Sequence, residues 1–263
     1  MRLGVIADDF TGATDIASFL VQNGLPTIQF NGVPESHEDL SAQAIVISLK
    51  SRSCPAEQAI DLSLAALQWL QQQGCNRFYF KYCSTFDSTE HGNIGPVTDA
   101  LMAALGETQT VISPSLPVNG RTVYQGYLFV ADQLLSESGM RHHPVTPMTD
   151  SNLVRLMMRQ AKGKAAVINA AQLDKGADAV REQLGVLKGQ GINYVVLDAL
   201  NEQHLVIQGE ALKEAVLVTG GSGLAIGIAR AWTSQNQNRD AEQAGRPQGD
   251  HAVVISGSCS QMT

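Results

Sequence analysis

The sequence predicts an α/β protein whose mostly parallel sheet carries helices on both faces, a three-layer arrangement. Short apolar runs, such as residues 3–7 and 44–49, have the length of strands that are buried on both sides. Segments with helical spacing of apolar residues follow most of these runs. This regular alternation is typical of a parallel sheet whose strands are joined by helices.

The elements can be placed in order from their apolar spacing and from the residues that end them. Gly24 ends the first helix, and Pro55 and Gly74 delimit the second. Residues 124–138 interrupt the alternation, which predicts an insertion that could lie over a site. The predicted strands cover residues 3–7, 26–30, 44–49, 77–82, 110–113, 165–169, 194–198 and 215–219, and the predicted helices cover 14–23, 55–74, 96–105, 152–162, 177–188 and 202–213.

Length and composition limit the class of protein. The 263 residues suffice for one large domain or for one domain with part of another. Twenty-five acidic residues against 18 Lys and Arg give a net charge of −7 with no basic cluster, so we do not expect a nucleic-acid partner. The four cysteines have no zinc or disulfide spacing. No leader pattern and no run of roughly 18 apolar residues is present, so we expect a cytoplasmic protein without a membrane partner.

An acid pair follows the first predicted strand. Asp8 and Asp9 stand at its carboxyl end, the edge of an α/β sheet where ligands collect. Either residue alone could be an N-cap or a turn residue. Two adjacent acids before Thr11 and Gly12 could also orient a hydroxyl, accept its proton or hold Mg²⁺, while free backbone N–H groups receive an anion.

Polar side chains also follow three other predicted strands, and a parallel sheet would gather them on one edge. Their charges suit a carboxylate or phosphate, although such residues can also be solvated loop charges. A histidine in a proline-stiffened loop, His143 or its neighbour His142, could reach a ligand or only hydrogen-bond its own loop. The candidates are Lys50 and Arg52, then Lys81, Asp87, Ser88 and Asn93, then Asn119 and Arg121.

A glycine-rich segment, residues 219–227, joins the last predicted strand to a helix. Its glycines would allow close approach to an anion or to another element of the chain. The spacing of Gly221, Gly223 and Gly227 resembles a dinucleotide fingerprint, but no strand ending in an acid follows at the required distance. A phosphate-binding G-x-x-x-x-G-K-[ST] motif is absent.

Composition predicts three parts of the chain. Residues 1–232 form the first domain, and residues 233–250, rich in Gln, Asn, Arg, Gly and Pro, are predicted to be an interdomain linker. Residues 251–263 read as the first strand and glycine-serine loop of a second α/β domain. The sequence is therefore expected to stop soon after a second domain begins.

Several motifs occur in one order along essentially the whole chain. They are Ala-Asp-Asp-Phe-Thr-Gly-Ala-Thr-Asp at 7–15, Ser-Arg-Ser at 51–53, the segment 80–96, Pro-Val-Asn-Gly-Arg-Thr at 117–122, Thr-Gly-Gly-Ser-Gly at 219–223 and Ser-Gly-Ser-Cys-Ser at 256–260. In this order the motifs resemble those of the four-carbon acid sugar kinase family. The longer form of the motif at residues 83–89 resembles the branch that acts on 3-oxo-tetronates.

This resemblance implies transfer of a phosphoryl group from ATP, with Mg²⁺, to the terminal hydroxyl of a four-carbon sugar acid. It implies that the first domain holds the acid and that the second domain holds most of the ATP. The resemblance implies that the substrate side is lined by Asp8, Asp9, Arg52, Lys81, Asp87, Asn119 and Arg121, and that Ser258 with its neighbours touches ATP. Together with the chemistry of the other loop residues, this gives three sets of predicted site residues. The predicted catalytic residues are Asp9, which we favour for orienting the hydroxyl, Asp8 and Asp87. The predicted substrate-binding residues are Arg52, Lys50, Lys81, Ser88, Asn93, Asn119, Arg121 and His143. The predicted nucleotide-binding residues are Ser256, Gly257, Ser258, Cys259, Ser260, Gly221 and Ser222.

Two other functions are compatible with the sequence. A non-catalytic sugar-acid sensor would use the same sheet edge, although a sensor needs no second nucleotide domain. An NADP-dependent oxidoreductase would depend on the loop at residues 220–227. A homo-oligomer is also an open expectation.

Overall fold

The computed structural model describes residues 1–35 and 40–233. Eight strands form one sheet, and every recorded pairing in it is parallel. The strands of this sheet are β1 (Leu3–Ala7), β2 (Thr27–Asn31), β3 (Ala44–Ser48), β4 (Arg77–Lys81), β5 (Thr110–Ser113), β9 (Lys164–Ile168), β10 (Ile192–Leu197) and β11 (Leu217–Gly220). Their order across the sheet is β2-β3-β1-β4-β11-β5-β10-β9. The predicted α/β fold is confirmed.

Helices cover both faces of the sheet. Neighbouring side chains of a strand point to opposite sides, so an apolar strand contributes to a core on each face. Ile6 of β1 belongs to one apolar cluster and Val5 to another. The helices of the described residues are α1 (Phe10–Gln22), α2 (Ala56–Gln72), α3 (Ile94–Leu105), α4 (Leu153–Gln160), α5 (Ala170–Leu173), α6 (Ala177–Gly189), α7 (Glu202–Leu212) and α8 (Gly223–Trp232). The first cluster contains buried residues of α2, α3 and α4, and the second contains those of α1, α6, α7 and α8.

The predicted insertion is a small antiparallel sheet of β6 (Arg121–Tyr124), β7 (Tyr127–Val130) and β8 (Gln133–Leu134). Its tight turn places Gln125 and Gly126 at positive φ. Backbone N–H groups of both residues donate to the buried carboxylate of Asp198, at 2.7 and 2.9 Å. The turn is therefore fixed to the end of β10.

Strand order could not be read from the sequence. The last strand of the described residues, β11, lies between β4 and β5, so the strand ends that carry Lys81 and Asn119 are not neighbours. The first helix also begins at Phe10 rather than at residue 14, because Asp9 caps it. The predicted linker, apart from residue 233, and the predicted second domain lie outside the described residues, as do the candidates at 256–260.

Candidate functional site

The segments that follow β3, β1 and β4 meet at Asp8. The backbone N–H of Asp8 donates to the carbonyl of Lys81, the last residue of β4, at 3.0 Å. The carbonyl of Asp8 accepts from the backbone N–H groups of Ser51 and Arg52, at 2.9 and 3.1 Å. The main chain itself therefore brings side chains from three adjacent strand ends together.

One guanidinium group contacts three carboxylates at this edge. Arg52 Nε and Nη2 donate to Asp8 Oδ2 and Oδ1 at 2.9 and 2.8 Å, the two-pronged geometry of a strong ion pair. Arg52 Nη2 also donates to Asp9 Oδ1 at 2.8 Å. Arg52 Nη1 lies 4.0 Å from Asp87 Oδ2. The structure thus brings together four of the residues that the sequence singled out.

Burial and ion pairing oppose each other at Asp8. The residue is only 4% exposed, and burial raises the pKa of its carboxyl above the ordinary value, while Arg52 and, more weakly, Lys81 lower it. For Arg52, burial alone would lower the pKa of the guanidinium, but Asp8 raises it above its ordinary value. Each ion of this pair therefore depends on the other for its stability.

Asp9 has two roles in the described structure. Its backbone is extended, and Oδ1 accepts a 2.7 Å hydrogen bond from the N–H of Gly12, so Asp9 is the N-cap of α1. The same oxygen accepts from Arg52. The predicted helix cap is therefore present, and the same side chain, 29% exposed, is part of the charged cluster, while its contact with a substrate stays a prediction.

Lys81 places a buried ammonium group beside the start of α1. It is 3% exposed, and Nζ donates to the carbonyl of Tyr82 at 2.6 Å. A Cβ atom at Gly12 would overlap Asp9 Oδ1 and would lie 2.9 Å from Lys81 Nζ and 3.5 Å from Arg52 Nη2. A larger residue here would crowd these three side chains, and the two cations and the helix N-terminus form a place where an anionic oxygen could bind.

The loop that carries Asp87 is held in an unusual conformation. Phe86, immediately before it, is fully buried and has a φ of 61°. Such a backbone costs of order 1 kcal/mol or more in a residue other than glycine, so the packing around Phe86 must hold it. Thr85 Oγ1 donates to Asp87 Oδ1 at 2.7 Å. Burial, with a smaller contribution from Asp87, raises the pKa of the nearby Cys83 thiol to about 11, so this thiol is neutral at pH 7.

Two of the predicted substrate-binding residues hold the loops of the site. Asn93 Nδ2 donates to the carbonyls of Ser51, Arg52 and Cys54, at 2.8, 3.2 and 3.1 Å, and so fixes the segment that carries Arg52. Ser88 Oγ donates to the side chain of Gln160. Both residues are buried, and their contact with a substrate stays a prediction.

Four other predicted residues lack a described hydrogen bond or ion pair to this cluster. Lys50 is exposed. Arg121 Nη1 donates to the carbonyl of Asn119, in the turn after β5. His143 Nδ1 accepts from the backbone N–H of Thr146 at 3.0 Å, which is the loop-holding alternative. Their binding roles stay predictions.

The glycine-rich segment after β11 packs against the chain itself. Cβ atoms at Gly220, Gly221 and Gly223 would overlap the carbonyl oxygens of residues 113, 114 and 115. The hydroxyl of Ser222 donates to Asp15. Close approach to another element, one of the two predicted uses of these glycines, is therefore what the described residues show, and a nucleotide contact of Gly221 or Ser222 stays a prediction.

No group of three or more His, Cys, Asp or Glu residues in the described ranges has a geometry that could hold a metal ion. Mg²⁺ commonly uses one or two carboxylates together with substrate phosphates. Both oxygens of Asp8 are occupied by Arg52, whereas Asp9 Oδ2 and Asp87 Oδ2 accept no described hydrogen bond. Asp9 and Asp87 are therefore the carboxylates of this cluster that each keep one oxygen available, and a magnesium contact of either stays a prediction. Within the same residues, no helix is long and apolar enough to cross a membrane.

A parallel sheet with charged side chains on the loops after its strands is the arrangement of a small-molecule-binding α/β domain. The model of the family "Sugar-binding N-terminal domain" matches residues 3–228, and the chain belongs to this family. It is 70% identical over its whole length to the 3-oxo-tetronate kinase of Pectobacterium atrosepticum and 66% identical to that of Escherichia coli. The chain spans 62% of the length of the first relative and 68% of the length of the second, so both relatives extend beyond the region that they share with this chain.

Solved structures share the fold. A Haemophilus influenzae protein of family DUF1537 has a TM-score of 0.85 and 58% identity, over 89% of this chain and 57% of that one. A Bordetella bronchiseptica domain of the same family has a TM-score of 0.74 and 27% identity, over 88% and 56% of the two chains. The Bordetella protein was crystallised as a domain-swapped dimer with bound citrate.

Proposed function

We propose that this chain is the sugar-acid-binding part of a kinase that transfers a phosphoryl group from ATP to the C4 hydroxyl of 3-oxo-tetronate, giving 3-oxo-tetronate 4-phosphate. The observation that carries the proposal is the cluster of Arg52, Lys81 and three aspartates at adjacent strand ends. The names of the curated relatives support the reaction, and the citrate in the Bordetella structure is a carboxylate ligand of a related fold.

Lys81 is the cation best suited to the substrate carboxylate. Its ammonium group has no described ion-pair partner, whereas Arg52 already contacts three carboxylates. The N-terminus of α1 adds backbone dipoles of the same sign. Arg52 would then act mainly by holding Asp8, Asp9 and Asp87 in place.

Asp9 is the residue that we assign to orienting the attacking C4 hydroxyl. Asp8 is buried and uses both oxygens on Arg52. Asp9 is more exposed than Asp87, 29% against 10%, and one of its oxygens accepts no described bond. A carboxylate in this position can accept a hydrogen bond from the hydroxyl and take its proton as the oxygen attacks.

ATP with Mg²⁺ would supply the phosphoryl group and neutralise its charge, with Asp87 as the carboxylate available to the ion while Asp9 holds the hydroxyl. We assign nucleotide contacts to Ser256, Gly257, Ser258, Cys259 and Ser260, with Gly221 and Ser222, from the family resemblance. The chain's own contribution is to bind the acid, to orient its hydroxyl and to exclude water, which are the main requirements of phosphoryl transfer. We also propose a homo-oligomer, which light scattering of the purified chain would test.

The experiment has two parts. Isothermal titration calorimetry should detect binding of 3-oxo-tetronate to this chain, compared with threonate and erythronate. Phosphorylation should then be measured in a protein extended to the length of the curated relatives, with Asp9→Asn as the test variant. Asparagine preserves the helix cap, so we expect binding and folding to persist while turnover falls about 100-fold or more. Unchanged turnover would remove Asp9 from the mechanism, and binding without any phosphorylation would favour a non-catalytic binding module.

A further inference from the structure

The side chain of Gln160 joins the two ends of the loop that follows Asp87. Gln160 is the last residue of α4, 72 positions from Ser88 in the sequence. Its Oε1 accepts from Ser88 Oγ at 2.9 Å and from the backbone N–H of Gly95 at 3.1 Å. Its Nε2 donates to the carbonyl of Ser88 at 3.0 Å. One amide group therefore fixes the residue after Asp87 and the first turn of α3.

Close packing leaves this contact little freedom. A Cβ atom at Gly95 would overlap the Gln160 side chain and backbone, and one at Gly92 would overlap Ser88. The helix that carries Gln160 is itself anchored, because Leu153, Leu156 and Met157 of α4 are buried in the apolar cluster on that face of the sheet. Gln160 thus lies at the end of a helix that is packed in the core of the domain.

The same short segment is fixed on its other side. Phe86 is fully buried at positive φ, and its ring packs edge to face on Tyr82 with centroids 5.6 Å apart. Asp87 lies between this strained residue and Ser88, and its carboxylate is directed at Arg52, 4.0 Å away. A strained backbone persists only when its surroundings hold it, and Gln160 supplies the holding contact after Asp87.

We propose that Gln160 is a positioning residue for Asp87, which it holds in the orientation that completes the sugar-acid site. Its effect on binding rests on the proposed function, whereas its effect on the loop does not. Gln160 itself touches none of the charged residues of the cluster through a described bond. Its influence should therefore pass through the segment of residues 87–95.

Gln160→Met tests this role, because methionine keeps the length of the side chain and removes both its donor and its acceptor. Gln109→Met is the control: Gln109 Nε2 donates to the carbonyl of Ile192 at 3.0 Å, beside the opposite ends of the strands. We expect the dissociation constant for the sugar acid to rise roughly tenfold in Gln160→Met, since small displacements of site groups have effects of this size or larger. Gln109→Met should leave it unchanged.

A double-mutant cycle with Asp87→Asn identifies the route of the effect. If Gln160 acts through Asp87, its substitution should weaken binding less than about twofold when Asp87 is already changed. An equal loss in both backgrounds, or no loss in the single variant, would overturn the proposal. Gln160→Glu keeps the acceptor for Ser88 and Gly95 but loses the donor, so it should lie between wild type and Gln160→Met.

Hydrogen exchange tests the effect of Gln160 on the loop without any sugar acid. It therefore applies even if the chain binds none of the acids or if Asp87→Asn abolishes binding. Gln160→Met should speed exchange of backbone amides in residues 88–95, and Gln109→Met should not. Unchanged exchange in this segment would refute the positioning role. Absence of sugar-acid binding by the wild-type chain, with faster exchange in Gln160→Met, would instead contradict the proposed function alone.

Discussion

Replacing Arg52 with methionine should destabilise the whole domain, because it leaves Asp8 buried without its partner. Arg52 gives Asp8 two hydrogen bonds of 2.9 and 2.8 Å, and Asp8 is 4% exposed. Methionine approximates the length of the arginine stem but supplies no charge. Breaking a buried ion pair on one side costs about 3–5 kcal/mol, and Arg52 is itself 23% exposed, so we expect about 3 kcal/mol from the lower end of that range.

The cost should depend on pH. Burial already raises the pKa of Asp8 in the folded protein above its ordinary value of 3.8, so the folded state binds this proton more tightly than the unfolded state. This tighter proton binding by Asp8 stabilises the folded protein fully at pH values below the pKa of the unfolded state. The stabilisation is lost as the pH rises through the pKa of the folded state. Without Arg52 the folded pKa of Asp8 rises further, so the deficit of Arg52→Met should grow as the pH rises from the folded pKa of the wild-type protein towards the higher folded pKa of the variant.

Urea unfolding followed by circular dichroism at pH 5 and pH 8 measures both effects. The control is Asp8→Asn in the Arg52→Met background, which removes the stranded charge and should recover more than half of the lost free energy of unfolding. A deficit that is equal at both pH values, or a double variant as unstable as Arg52→Met, would refute the argument that Asp8 is a buried ion held by Arg52.

Three further outcomes follow from single contacts. Gly12→Ala should weaken sugar-acid binding roughly tenfold by calorimetry, because its Cβ would overlap Asp9 and lie 2.9 Å from Lys81 Nζ; unchanged affinity would contradict this crowding. Asp198→Ala should cost about 2–4 kcal/mol in urea unfolding, since three backbone N–H groups lose their acceptor, and a loss below about 1 kcal/mol would show that water replaces it. Asn93→Ala should free the loop of residues 51–54 and weaken binding about fivefold, whereas equal affinity would mean that the loop holds its shape alone.

Much of the fold was accessible from local patterns. The apolar runs of β1 and β3 predicted strands buried on both faces, and each has that burial in the structure. Parallel strands also place their carboxyl ends at one edge, which is why Asp8, Arg52 and Asp87 could be expected to meet. Such inferences need only the spacing of apolar residues and the direction of the strands.

Other features depended on contacts between distant parts of the chain. The position of β11 between β4 and β5 separates Asn119 from the charged cluster by one strand, and no local pattern encodes strand order. Because β11 lies beside β5, the glycine-rich segment that follows β11 packs against residues 113–115. This close packing explains the glycines that resemble a nucleotide motif in the sequence. Close backbone packing and anion binding both require glycine, so sequence alone could not separate them.

The sequence by itself determined the α/β class, the acid pair and the strand ends from which the site is built, because apolar periodicity and turn residues act locally. Only the tertiary structure shows that Arg52 contacts three carboxylates, that Asp9 both caps a helix and accepts from Arg52, and that Gln160 holds the loop after Asp87 across 72 positions of chain. Hydrogen bonds between side chains depend on distances that exist only after the helices and strands have packed.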